Sequence, residues 1–157
     1  MPWQRVQLDD VPPTRWRNGG GVTRELVAWP YPQAWRWRVS VAEVASSGPF
    51  SRFDGVQRWL AILDGAGVRL SCDTKTVELT DHSAPLNFDG ADPVDCELLG
   101  GSVRDLNLMV RDDPAAGRSS SRMQRVVGTT RVDIDFAKTV ALFNLGAPAV
   151  LRTETGP

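Results

Sequence analysis

Trp35-Arg-Trp-Arg-Val-Ser-Val-Ala-Glu43 is the stretch on which the reading of this chain turns. Arg36, Arg38 and Ser40 fall on one parity, and Trp37, Val39 and Val41 on the other. A β-strand sends successive side chains to opposite faces, so the segment is an extended one with an oily side and a polar side. Val103-Arg-Asp-Leu-Asn-Leu-Met-Val110 alternates in the same way, as does Trp16-Arg-Asn-Gly-Gly-Gly-Val-Thr-Arg-Glu25. A polar face of this kind lines a pocket or meets water, and function depends on which.

Outward from Trp35, period-two pieces recur and no long helical pattern appears. Strands are expected at 22–29, 35–44, 58–63, 67–71, 76–79, 94–99, 106–111, 131–135 and 139–145. Turn chemistry separates them at Ser47-Gly-Pro49, Asp54-Gly55, Asp64-Gly65, Asp89-Gly90, Gly100-Gly101 and Gly146-Ala-Pro148. Many short strands with regular turns predict an all-β sandwich or barrel. Residues 112–125 are polar and Gly/Ser/Arg-rich, which predicts a mobile surface loop. Leu60-Ala-Ile-Leu-Asp-Gly-Ala-Gly-Val68 faintly echoes Val140-Ala-Leu-Phe-Asn-Leu-Gly-Ala-Pro-Ala-Val150. The echo suggests a single unit over 1–157 built from two β-halves, 1–102 and 103–157.

The chain has 157 residues and is 41% hydrophobic, enough for one core without metal or disulfide support. Its net charge of −1 lacks the basic footprint that nucleic acid requires. Cys72 and Cys96 form no C-x-x-C and read as reduced thiols. No signal-peptide core or membrane-length apolar run is present in the sequence, which predicts a cytoplasmic protein without membrane contact.

The single histidine, His82, cannot supply the two or three imidazoles of a barrel metal site, and it has no partner for a nucleophilic triad. No metal, no cofactor and no catalytic residue is therefore assigned. Asn18-Gly-Gly-Gly21 lacks the Lys-Ser/Thr ending of a P-loop and the spacing of a dinucleotide fingerprint. The polar groups that remain are Arg24, Glu25, Arg38, Ser40, Glu43, Ser47, Ser51, Arg58, Asp105 and Asn107. Guanidinium forks grip carboxylates in bidentate fashion, and Asn and Ser add neutral donors and acceptors. Such a set suits a small acidic metabolite; it equally suits salt bridges on a wet face.

Four blocks resemble the HutD/Ves family: Trp16-Arg-Asn-Gly-Gly-Gly-Val-Thr-Arg-Glu25, Ala42-Glu-Val-Ala-Ser-Ser-Gly-Pro-Phe-Ser-Arg-Phe53, Arg58-Trp-Leu-Ala-Ile-Leu-Asp-Gly65 and Gly101-Ser-Val-Arg-Asp-Leu-Asn-Leu-Met109. The resemblance is looser after Met109. It implies a cupin-like jelly roll (a double-stranded β-helix), two barrels fused into one compact unit, without the usual His-rich metal site. It also implies a link to histidine utilisation or stress, with formylglutamate as a candidate ligand and a homodimer as a common assembly.

Three readings follow. In the leading one, Arg24, Arg38 and Arg58 bind a carboxylate, Asp105 and Asn107 orient an amide, Ser40 and Ser51 add hydrogen bonds, and Glu25 and Glu43 hold the arginines. In the second, a metal-free isomerase or hydrolase uses Glu43 or Asp105 as general base. Flanking arginines are expected to lower that base's pKa, which counts against it. In the third, the tryptophans and the Phe50–Phe53 pair form an exposed interaction patch.

Overall fold

A computed structural model describes residues 3–135 and 138–152. The alternation at Trp35 becomes β3 (Trp37–Val44), flanked by β1 (Thr14–Arg15) and β2 (Gly21–Trp29). Beyond it come β4 (Gly48–Pro49), β5 (Val56–Asp64), β6 (Val68–Cys72), β7 (Lys75–Leu79), β8 (Leu86–Asp89), β9 (Asp95–Leu98) and β10 (Val103–Arg111). All pairings are antiparallel. They build a six-stranded sheet in the order β1-β2-β3-β10-β5-β8 and a four-stranded sheet in the order β4-β9-β6-β7. The all-β expectation is met.

Cross-strand partners share a face, so the pairing register shows what each face carries. Val44, Leu60, Ile62 and Val103 of the larger sheet pack against Val68, Leu70, Leu79 and Cys96 of the smaller one. A second cluster of Trp35, Val56 and Met109 continues along the same inner face, with Ala28 and Phe53 against it. Burial pushes the Cys96 thiol up to about 12, and Cys72 and Cys96 are both free. Gly21 is required where β2 begins: a Cβ there would strike the Glu43 carbonyl and lie 3.1 Å from the Trp16 ring.

The chain separates into two units, Met1–Arg125 and Val126–Pro157. The boundary expected at 102/103 falls immediately before β10, which lies between β3 and β5 in the centre of the larger sheet. The strands expected at 131–135 and 139–145 are absent among the described residues there. Residues 112–125 contact the larger sheet at several points. Asp113 and Gly117 close a bridge, Arg118 pairs with Asp89 at 2.9 Å, and Trp59 Nε1 donates to Ser121 Oγ at 3.1 Å. Arg125 Nη2 donates to the Ile62 carbonyl at 2.7 Å. The aromatics divide: Trp35 is buried and Phe50 and Phe53 pack on core, whereas Trp3, Trp29 and Tyr31 are exposed.

Candidate functional site

Three registers of the inner face carry the polar residues. Glu25, Ser40, Asn107 and Leu60 lie side by side on β2, β3, β10 and β5. The next row towards the aromatic end holds Ala28, Arg38, Met109, Arg58 and Phe88. The row on the other side holds Thr23, Ala42, Asp105 and Ile62. A bulge between Glu25 and Val27 inserts one residue into β2, which sets Ala28 opposite Arg38. Ser40, Arg58, Asp105 and Asn107 are all buried.

Arg58 is the centre of this constellation. It is 6% exposed, and its guanidinium lies 5.3, 5.6 and 5.0 Å from the rings of Phe50, Phe53 and Phe88. Nη1 donates to the Ser51 carbonyl and Nη2 to Asn107 Oδ1, each at 3.2 Å. Its Nε is buried without a partner. Burial holds the group down to about 10, partly offset by Asp105 and reinforced by Arg38. Arg38 shares Phe53 with Arg58, at 5.4 Å, and also lies 4.9 Å from Trp35. It donates from Nε and Nη2 to Met109 Sδ and faces Glu25 Oε2 at 3.5 Å. Arg111 covers Trp35 at 4.3 Å. Three guanidinium groups thus interleave with aromatic rings at one end of the sheet, an arrangement that orders the cations while leaving hydrogen-bond donors free.

Asp105 lies one row deeper and is 2% exposed. Asn107 Nδ2 donates to its Oδ1. Burial pushes its carboxyl up to about 7, against the downward pull of Asn107 and Arg58. The expectation that arginine would leave this group a depressed pKa is corrected: full enclosure outweighs one neighbouring cation.

The structure gathers Glu25, Arg38, Ser40, Arg58, Asp105 and Asn107 on one face. Ser51 contributes its carbonyl, its side chain being exposed. Arg24 and Glu43 are placed apart. They pair in register with Val41 and Val22 on the opposite face, and they line a shallow groove of about 370 Å³ with Arg15 and Val22. Arg24 Nε donates to the Val11 carbonyl at 3.0 Å. Ser47 Oγ accepts from the Leu98 amide. The side chain of His82 is 93% exposed. Trp35, Phe53, Phe88, Met109 and Arg111 are site residues that the sequence reading missed. Met109 and Arg111 share the parity of Asp105 and Asn107, a signal that was available.

Two antiparallel sheets packed face to face, with an arginine–aromatic end to the inner surface, define a cupin-type barrel; the cupin domain of Schizosaccharomyces pombe Cnp3 matches in fold (TM-score 0.54, 12% identity, 68% of this chain and 72% of that one). The HutD family profile matches residues 8–156, and the chain belongs to the HutD family. An uncharacterised 21.2 kDa protein of the hutC 3′ region in Pseudomonas putida is 37% identical over 89% of this chain and 72% of its own length. Protein Ves of Cronobacter sakazakii is 38% identical over 66% of this chain. HutD from Pseudomonas fluorescens SBW25 superposes with a TM-score of 0.64 at 34% identity, covering 68% of this chain. The matched region is 58% of that Ves protein and 59% of that HutD chain.

Proposed function

We propose that this chain binds a small carboxylate metabolite between Arg38 and Arg58, in a regulatory role in histidine utilisation or a stress response within the cytoplasm. The observation that carries the reading is Arg58. A guanidinium with its Nε unpartnered, 6% exposed and boxed by three phenyl rings is costly to bury. A carboxylate admitted between the rings would satisfy that donor and neutralise the charge. Ser40, in the adjoining row, would offer its hydroxyl to a neutral amide of the same ligand. Formylglutamate has both groups and is the candidate we favour. The names of the relatives, HutD, the hutC-region protein and Ves, support the pathway assignment.

Calorimetric titration with formylglutamate, glutamate and urocanate tests this. Saturable binding of formylglutamate is expected. Arg58→Met should weaken it by about 30-fold or more, since a lost charge-assisted pair costs about 2–3 kcal/mol. No heat with any of the three would end the proposal. The enzyme reading draws support from the Asp105 carboxyl at about 7, a value suited to a general base. Its enclosure behind Asn107 argues against contact with a substrate. Turnover of any of these compounds, lost in Asp105→Asn, would reverse the ranking.

A further inference from the structure

Asp105 has no role in the binding step just described, yet it is the most enclosed ionisable group of that site. We infer that anion binding at Arg58 is coupled to uptake of one proton at Asp105, so that the site senses its ligand and the ambient pH together; this rests on Arg58 being the anion site.

The geometry supplies the coupling. Arg58 Nη2 donates to Asn107 Oδ1, and Asn107 Nδ2 donates to Asp105 Oδ1. One side-chain amide therefore bridges the cation and the carboxylate, with its dipole aligned along the line between them. The charged and titratable groups around Asp105 come from four other strands. Arg58 faces it from β5, and Arg38 from β3 acts on Arg58. Glu25 from β2 is held by Arg38, and Cys96 from β9 feels the Asp105 charge but keeps its own proton. Ala42 and Ile62 flank Asp105 in register and offer no compensating charge. Arg58 is thus the cation that favours the ionised carboxylate, while burial opposes it.

A ligand carboxylate seated on the Arg58 fork cancels that support. The Asp105 carboxylate then faces burial penalty without its counter-charge, and its affinity for a proton rises. With the free-site carboxyl already balanced at about 7, a further rise moves the group from half-charged to neutral at neutral pH. The proton comes from solvent and resides on the Asp105 carboxyl; the ligand enters as its carboxylate. Linkage is reciprocal, so protonating Asp105 must tighten anion binding by the same factor. A charge count agrees. Arg38, Arg58 and Arg111 face Glu25 and Asp105, and neutralising Asp105 leaves two positive charges, the complement of a dicarboxylate.

The test is calorimetry of formylglutamate at pH 7 in HEPES and in Tris, whose ionisation heats differ and neither of which is a phosphate or carboxylate competitor. Its carboxylates stay ionised from pH 6 to 9, so they contribute no protons there. The expected result is a buffer-dependent heat reporting uptake of a fraction of a proton. Affinity should fall above pH 7 with a limiting slope of about tenfold per pH unit. Asp105→Asn should bind with equal heats in both buffers and a flat profile between pH 6 and 8. A second measurement needs no variant: the carbon-13 carboxyl titration of Asp105 should move to higher pH when formylglutamate saturates the protein. Saturable binding with equal heats in the wild type overturns the coupling and leaves the binding proposal intact. Proton uptake that persists in Asp105→Asn also overturns it. Absence of binding by formylglutamate, glutamate and formate alike overturns both.

Discussion

Asp105 illustrates what a single residue of this chain costs the fold. Its carboxyl is raised from 3.8 to about 7, so the folded protein binds its proton more tightly than the unfolded chain does. The burden is absent below about pH 3, where both states are protonated, grows as pH rises towards 7, and is constant above that. Asn mimics the protonated acid at every pH. Asp105→Asn is therefore expected to be more stable than the wild type at pH 8, by on the order of 1–4 kcal/mol and with a higher melting temperature, and to melt at the same temperature at about pH 3. Equal melting points at pH 8 would show that water or a rearrangement already serves the charge. Residue parity also explains how much of the site the sequence disclosed. Arg38 and Ser40, like Asp105 and Asn107, are two apart and share a face. Arg24 and Glu25 are consecutive, so one had to leave the site; Glu43 is odd where Arg38 and Ser40 are even. Applied strictly, alternation removes Arg24 and Glu43 and adds Met109 and Arg111. Trp35 and Phe53 lie outside the strands, in connections whose path is not periodic, and no spacing rule places them.

At the scale of elements, the connection between β4 and β5 carries Phe53 into the site, and a glycine after β8 fixes it. Gly90 accepts from the Phe53 amide and donates to the Val56 carbonyl, both at 2.7 Å. A Cβ on Gly90 would meet the carbonyl oxygens of Phe53 and Val56, which are backbone and cannot turn aside. Gly90→Ala is expected to destabilise by about 2–3 kcal/mol, read by denaturant unfolding, and to lower formylglutamate affinity because Phe53 no longer packs against the Arg38 and Arg58 guanidinium groups. Loss of stability with unchanged affinity would detach Phe53 from binding. The long strands were legible because one face is buried, and a buried face writes period two into the sequence. Thr14–Arg15, Gly48–Pro49 and Leu86–Asp89 were not. They are short, and two of them take partners distant in sequence: Gly48 pairs with Cys96, and Phe88 with Arg58.

Across the whole molecule, the reverse error is the informative one. Residues 131–135 alternate as well as β3 does and 139–145 hold a short apolar run, yet none of the described residues from 126 onward is in a strand. Alternation is a necessary mark of a half-buried strand, but the backbone also needs a ladder partner and the apolar side needs a surface to cover it. Val127 is 94% exposed, Val150 83% and Leu142 60%, so that second condition is unmet in this unit. The contrast predicts a steep gradient of amide hydrogen exchange. Amides of β10, paired on both edges in the centre of the larger sheet, should exchange slowest, near the rate of global unfolding. Amides at 126–135 and 138–152 should exchange at close to unfolded-chain rates, since no strand pairing protects those described residues. Exchange followed by mass spectrometry at pH 7 distinguishes the cases. Strong protection at 139–145 would mean that these residues find a strand partner in solution, and the apolar run of the sequence would then be the better guide to that segment than the fold described above.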